Sequence, residues 1–420
     1  MRTRQPLLCL LMTVALVVPA LSIAGQAQAA DTVTVQTTLS YAGPLPAGIA
    51  SLTLENLAGH LSVTQGNRFL VTATVVAGST DQAAAQALAQ SVRFDTSQSS
   101  NNFTLHVHYP LDQTTSFNYL NTADKTGGNS HFCFFGVFCV NGGGSNLSYQ
   151  GKEVHVYYGS DRGTPLHVDL VVQVPTGMSL AVVNYVGPTE ASGINNDLQV
   201  KTTSGDVRVS DMHGLFSADT GSGDVHVAAL TGDLTADTGS GDVFAEHVTG
   251  KVYAETGSGD VHVAESDSQT LYADTGSGDV TFSKVKGEMK LNTGSGDIRL
   301  DGAHGSLHAD TGSGDVIARH YTGGESVWAK TGSGDVSLAG DLSAVRTLYI
   351  DTGSGDVTLK TAAGLSMHLD ASSSSGDVNI NLPYMHNMVM HHGKFVADFG
   401  KVEGTGTIST GSGDINMSHE

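Results

Sequence analysis

Thr311-Gly312-Ser313-Gly314-Asp315-Val316 contains one of nine copies of a Thr-Gly-Ser-Gly-Asp tract that run from Thr220 to Asp414, and two degenerate Ser-Gly-Asp copies end at Asp206 and Asp377. The aspartates that close these tracts are spaced by 18, 18, 18, 19, 18, 18, 20, 21, 21 and 37 residues. Such regularity is the signature of one small unit stacked on copies of itself. A short strand follows each aspartate, as in Asp224-Val225-His226-Val227, Asp260-Val261-His262-Val263 and Asp297-Ile298-Arg299-Leu300. Alternation sends Val225 and Val227 inward and His226 outward. A second turn follows, often with glycine (Gly214, Gly232, Gly250, Gly287, Gly305), where a positive φ favours that residue. A second strand closes the unit, as in Leu307-His308-Ala309-Asp310-Thr311, with Leu307, Ala309 and Thr311 inward.

Two strands and two turns in 18 residues cannot bury an apolar face alone. Stacked in parallel register about 4.8 Å apart, they form a thin continuous core. The expected fold is all-β: a single-chain parallel β-helix or β-roll solenoid over residues 196–420, preceded at 31–195 by a less regular β-rich region. That first region shows alternating strands and one helix over Asp81–Val92, capped by Thr80 or Asp81. Its Asn-, Gly- and Ser-rich stretch at 112–151 reads as a loop. The gap of 37 before Asp414 reads as one rung without its Ser-Gly-Asp turn, with the rung at Met417 to Glu420 left open to end-to-end association.

Residues 1–30 read as a secretory signal: Arg2 and Arg4, an apolar run from Leu7 to Ile23, and a small-x-small site at Ala27-Gln28-Ala29. The expected location is therefore periplasmic or extracellular, with no membrane span after signal removal. Removal of Cys9 leaves Cys133 and Cys139, for which an oxidising compartment predicts a disulfide across a local hairpin. The net charge of -21, from 41 acidic and 20 basic residues, argues against nucleic acid and against adhesion to anionic lipid.

The T-G-S-G-D-V tract resembles that of a bacterial adhesin-like domain of unknown function. So do Leu52-Thr53-Leu54-Glu55-Asn56-Leu57-Ala58-Gly59-His60-Leu61-Ser62-Val63 and Val168 to Val183, with its Pro175-Thr176-Gly177. The resemblance covers residues 50–420 apart from 112–151. It implies a parallel β-helix akin to the head domain of some autotransporter adhesins, and it implies no enzyme activity.

Asp-Thr-Gly-Ser at Asp219, Asp237, Asp274, Asp310 and Asp351 matches the aspartic-protease signature, but five copies serve no two-carboxylate dyad. No G-x-S-x-G, HExxH or P-loop pattern occurs. The Ser-Gly-Asp carboxylates (Asp224, Asp242, Asp260, Asp279, Asp297, Asp315) line up along the stack, where neighbours repel by about 0.9 kcal/mol even in water. Turn backbone N–H groups can compensate them, or bound Ca2+ can. The G-S-G-D spacing departs from the G-G-x-G-x-D of calcium-binding rolls. Met385-His386-Asn387-Met388-Val389-Met390-His391-His392 groups imidazoles and thioethers that suit copper, with His386, His391 and His392 as candidate ligands.

An outward column on the second strand reads Ser217, Thr235, Tyr253, Tyr272, Lys290, His308, Trp328, Tyr349, His368, and beside it run Asp219, Asp237, Glu255, Asp274, Asn292, Asp310, Lys330, Asp351 and Asp370. Aromatics flanked by carboxylates suit sugars or extended peptides, which makes Tyr253, Tyr272, Trp328 and Tyr349 the expected contact face. The expected role is an exported, non-enzymatic adhesin-like binding or scaffold module for an envelope glycan or protein. A Ca2+- or copper-binding envelope protein is the first alternative. A polysaccharide-active β-helix enzyme, with its site where residues 112–151 cross the stack, is the second.

Overall fold

The computed structural model describes residues 32–119, 131–134, 138–141, 143–158, 162–362 and 364–419; the expected leader at 1–30 lies outside them. The chain divides into two compact units, one ending at Val209 and one beginning at Ser210. Strands dominate both, as the repeat predicts, and one helix occurs among the described residues.

In the first unit, parallel pairing joins Asn102–His108 to Ser51–Ala58, Ser51–Ala58 to Ser179–Val186, and Ser179–Val186 to Leu198–Thr202. Antiparallel pairs border this ladder: Val33–Tyr41 with Leu70–Ser79, Leu70–Ser79 with Thr164–Val174, and Arg93–Ser99 with Asn102–His108. The helix Gln82–Ser91 starts where expected. Asp81 caps it by accepting from the Ala84 N–H at 3.0 Å. Buried Asn56 and Asn184 satisfy each other at 3.1 Å, and Asn56 also donates to the Val168 carbonyl at 2.9 Å. Residues 112–151 are not a bare loop. Ser116–Tyr119 pairs in parallel with Lys152–Tyr158, and Gly143–Tyr149 pairs antiparallel with the same strand. Ladder partners there outweigh the low strand propensity of a Gly/Asn/Ser-rich composition.

The second unit is a stack of parallel rungs. Leu234 faces Val252 and Val252 faces Leu271, while Ala236, Ala254 and Ala273 form the next inward column. The strand after the corner builds the opposite wall, with Val225 over Val243 and Val243 over Val261. All of these side chains are buried. The rungs up to His320 carry a third bend that the two-strand reading missed. Ala229, His247, Glu265, Lys284, Gly302 and His320 stand in one column with φ of 58, 55, 49, 52, 68 and 48°. The bend breaks the alternation, so Leu230 follows Val225 and Val227 into the core and Val248 follows Val243 and Ala245.

The end of this unit corrects the expected order. Thr347–Thr352 pairs with Gly404–Thr410, which pairs in turn with Met367–Ser373. On the other wall Val357–Thr361 pairs with Ile415–His419, which pairs with Val378–Asn381. The last rung in sequence is therefore interior to the stack. Among the described residues no rung lacks its turn: residues between Asn381 and Gly404 form an antiparallel hairpin, Met385–His391 with Lys394–Phe399, laid along the outer side of Met367–Ser373. The open edge expected at Met417 to Glu420 is covered on one side up to His419 and on the other up to Ser418. The register also moves two assignments. Ser373 occupies the threonine position of its corner, so Asp370 aligns with Thr407 and Tyr349, and His368 aligns with Thr405 and Thr347. The run Ala371-Ser372-Ser373-Ser374-Ser375 hides that two-residue shift.

Candidate binding face

The corner tract is explained by stacking. The Thr293 hydroxyl accepts from the Gly296 N–H of its own rung at 3.0 Å and donates to the Gly278 carbonyl of the rung before at 2.8 Å. Thr238, Thr256, Thr275, Thr311, Thr331, Thr352 and Thr410 repeat the pattern, and Ser373 substitutes for threonine in the final corner. These hydroxyls are buried, so each would be costly to leave unpaired. The second glycine leaves no room for a side chain: a Cβ on Gly296 would stand 2.0 Å from the Gly278 carbonyl oxygen. Its need is close approach, not an unusual φ, whereas Gly232 and Gly250 in the second turn adopt φ of 150° and 146°.

The aspartate column is compensated by backbone. Asp224 Oδ1 accepts from the Asp242 N–H at 2.9 Å, Asp242 from Asp260 at 2.8 Å, Asp260 from Asp279 at 2.7 Å, Asp279 from Asp297 at 2.8 Å and Asp297 from Asp315 at 2.7 Å. The ladder continues through Asp335, Asp356, Asp414 and Asp377. Arg299 bridges Asp279 and Asp297. Burial pushes the Asp279 carboxyl up, but the Asp297 N–H and the Arg299 guanidinium together outweigh it and hold the group below the usual carboxylate range.

Among the described residues, one group of three His, Cys, Asp or Glu side chains has its ligand atoms within 4.8 Å: Glu246, His247 and Glu265. It stands at the left-handed bend, not in the aspartate column, and Lys284 Nζ already donates to Glu265 at 2.9 Å. His386, His391 and His392 lie on the exposed hairpin and are not drawn into such a group. The backbone sets Cys133 opposite Cys139 in an antiparallel pair; their side chains lie outside the described residues.

The expected contact face is outward, as the alternation predicts, and its rings stack on one another. Tyr253 and Tyr272 lie 4.6 Å apart at 7°, His308 and Trp328 4.0 Å apart at 2°, and Trp328 and Tyr349 5.6 Å apart at 12°. Lys290 Nζ stands 5.6 Å from the Tyr272 ring centroid and bridges the two groups. The faces are thus used between rungs, and the edges and polar tips form the surface. Tyr253 Oη donates to Glu255, which with the surrounding carboxylates pushes its phenol up to about 12. Tyr272 Oη donates to Asp274 Oδ2 at 2.9 Å. Burial and Lys290 lower His308, which favours the neutral imidazole. On the opposite wall His226, Phe244 and His262 stack at 4.7 and 5.0 Å, an arrangement the alternation implies but the aromatic reading did not single out.

The model of the family described as Toastrack DUF4097 matches residues 186–264 and 245–418. Among solved structures, the chain is similar to the crystal structure of a candidate cell adhesion protein from Clostridium sporogenes, at 9% identity, covering 92% of this chain and 100% of that one, with a TM-score of 0.17. No curated protein matches the sequence.

Proposed function

We propose a non-enzymatic binding or scaffold role in the cell envelope for this chain, which belongs to the Toastrack DUF4097 family. One observation carries the reading: the reiterated residues of the second unit are committed to holding rungs together, while the outward columns vary from rung to rung. Thr, Gly and Asp of each corner bond or pack against the neighbouring corner. The carboxylates that resemble a protease signature form a regular ladder, Asp237 in register with Glu255 and Glu255 with Asp274, and Tyr253 and Tyr272 donate to the last two. Paired carboxylates sharing a proton, which acid proteolysis needs, are a different arrangement.

The ribbon Tyr253, Tyr272, Lys290, His308, Trp328 and Tyr349 is the proposed contact face. Its ring edges and hydroxyls, with Glu255 and Asp274 beside them, suit an extended polar ligand such as an envelope glycan or peptide strand. Repeated weak contacts along successive rungs then add through avidity. The test is capture of envelope glycans and fractions by the exported chain and by the Tyr272→Ala/Trp328→Ala double variant. Binding by the parent and its loss in a folded variant support the face; equal capture by both removes it.

A second reading is an ion-assisted stack, and the Glu246, His247 and Glu265 group favours it over the aspartate column. Titration with Zn2+ and Ca2+, with melting followed before and after chelation, separates the two sites. Stabilisation lost in His247→Ala supports the bend. Indifference to both ions and to chelator removes the reading.

A further inference from the structure

The chain skips a layer and returns to fill it. Thr361 and Met367 belong to strands that flank the last rung on its two sides, so the connection between them passes two rung spacings, about 9.6 Å. Gly404–His419 then occupies the intervening slot, pairing in parallel on both sides along both walls. The corner bonds close around it: Asp414 N–H donates to Asp356 at 2.8 Å and Asp377 N–H donates to Asp414 at 2.8 Å. Thr410 donates to the Gly355 carbonyl at 2.9 Å and Ser373 to the Gly413 carbonyl at 2.8 Å.

We propose that this slot accepts residues 404–419 of a second copy, so that two chains exchange their last rungs and each completes the other's stack. Three features of the fold carry the proposal. The bonds that seat the rung come from strand ladders, the corner tract and two side-chain pairs, Ser409 donating to Asp351 at 2.7 Å and Asn379 to Asn416 at 3.2 Å, and a second copy supplies the identical set. Gly404–His419 is one continuous segment that supplies both walls of its layer, so a single link governs its release. The link that returns it, Gly400–Glu403, is a tight turn held against its preference. Val402, a β-branched residue, sits at φ 58° with its N–H on the Phe399 carbonyl at 3.3 Å, and Gly400 also has φ 58°. A strained hinge beside a complete, separable element favours opening, and the opened link extends to reach a neighbour. The link is anchored in the unexchanged form by the Glu403 N–H on the Ser366 carbonyl at 3.0 Å, the Lys401 N–H on Ser366 Oγ at 3.2 Å, the Gly400 N–H on the Tyr384 carbonyl at 3.4 Å and Arg346 paired with Glu403 at 3.2 Å.

The experiment uses the full chain with Thr347→Cys and Thr405→Cys, residues that face each other across the slot. Two populations with tags of different size are mixed at high concentration, oxidised, and separated under denaturing, non-reducing conditions. Exchange gives a cross-linked dimer carrying both tags, whose share rises with concentration and which is absent when either cysteine is introduced alone. Cross-links confined to single chains at every concentration would overturn the proposal. Val402→Pro forbids the positive φ and removes the Phe399 bond, and is expected to raise the exchanged fraction at least threefold. Val402→Gly relieves the strain and is expected to lower it. The tagged assay with the native hinge decides the question if the proline variant does not fold.

Discussion

The corner Thr293–Asp297 and the ribbon from Tyr253 to Tyr349 occur in the same rungs and obey opposite rules. In the corner the residues repeat because each one's partner is its counterpart in the neighbouring rung. In the ribbon each residue again meets its counterpart, but through ring faces that accept tyrosine, a lysine ammonium, histidine or tryptophan alike. Hydrogen bonds at 2.7–3.0 Å demand one chemistry, whereas stacking tolerates several. Repetition in this chain therefore reports architecture, and the freedom to bind a particular ligand lies where repetition fails.

The contrast makes graded predictions. Gly296→Ala puts a Cβ 2.0 Å from backbone on one side, while the stacked Gly314 blocks relief on the other. The expected loss is about 4 kcal/mol in chemical denaturation; a loss below about 1 kcal/mol would break the packing argument. Thr293→Val keeps the shape and strands a buried N–H and a buried carbonyl, for an expected loss of about 2–3 kcal/mol, with Thr293→Ser recovering most of it.

Acid should act on the same ladder. The folded Asp279 carboxyl titrates below its ordinary value of 3.8, so its contribution is present above about pH 4 and is lost as pH falls through the lower folded value. Removing Arg299 should shallow the fall in melting temperature between about pH 4 and pH 2; an unchanged slope would separate Arg299 from the ladder.

The ribbon variants should matter least to folding. Tyr272→Ala with Trp328→Ala is expected to cost less than about 2 kcal/mol while abolishing ligand capture. Unfolding of that double variant would erase the distinction between corner and ribbon. The finest test is spectroscopic: Tyr253 should ionise near 12, and Glu255→Gln should return it toward its ordinary 10.0.

Much of this was legible. Spacing and alternation predict the parallel stack, the inward Val, Leu and Ala columns and the outward aromatic ribbon, because a two-residue side-chain period maps directly onto a wall. The backbone compensation of the aspartates was the plainer of two alternatives and is the arrangement found. Two things were harder to read. The slip from Val227 to Leu230 is visible as a three-residue step, but residues as different as Ala229, His247 and Glu265 occupy the bend without a shared chemistry to mark it. The insertion of residues 404–419 is invisible to any neighbour-by-neighbour reading, because the spacing of 21 between Asp356 and Asp377 would equally suit adjacent rungs. Only the ladder shows which copy lies beside which.

The threonine hydroxyl bonds and the aspartate N–H to carboxylate bonds point one way. Each hydroxyl and each aspartate N–H donates toward the preceding layer, through the inserted rung and on to Asp377. The assembly is therefore a vector with unlike termini. Past Asp377 no further corner follows among the described residues to donate, and the corner there offers the carbonyl of Gly376 and a carboxylate. A cap that meets this corner must bring donors to those two oxygens and an acceptor beside them, because the N–H after each corner, as at Val357 and Ile415, donates to the aspartate carbonyl of the following layer.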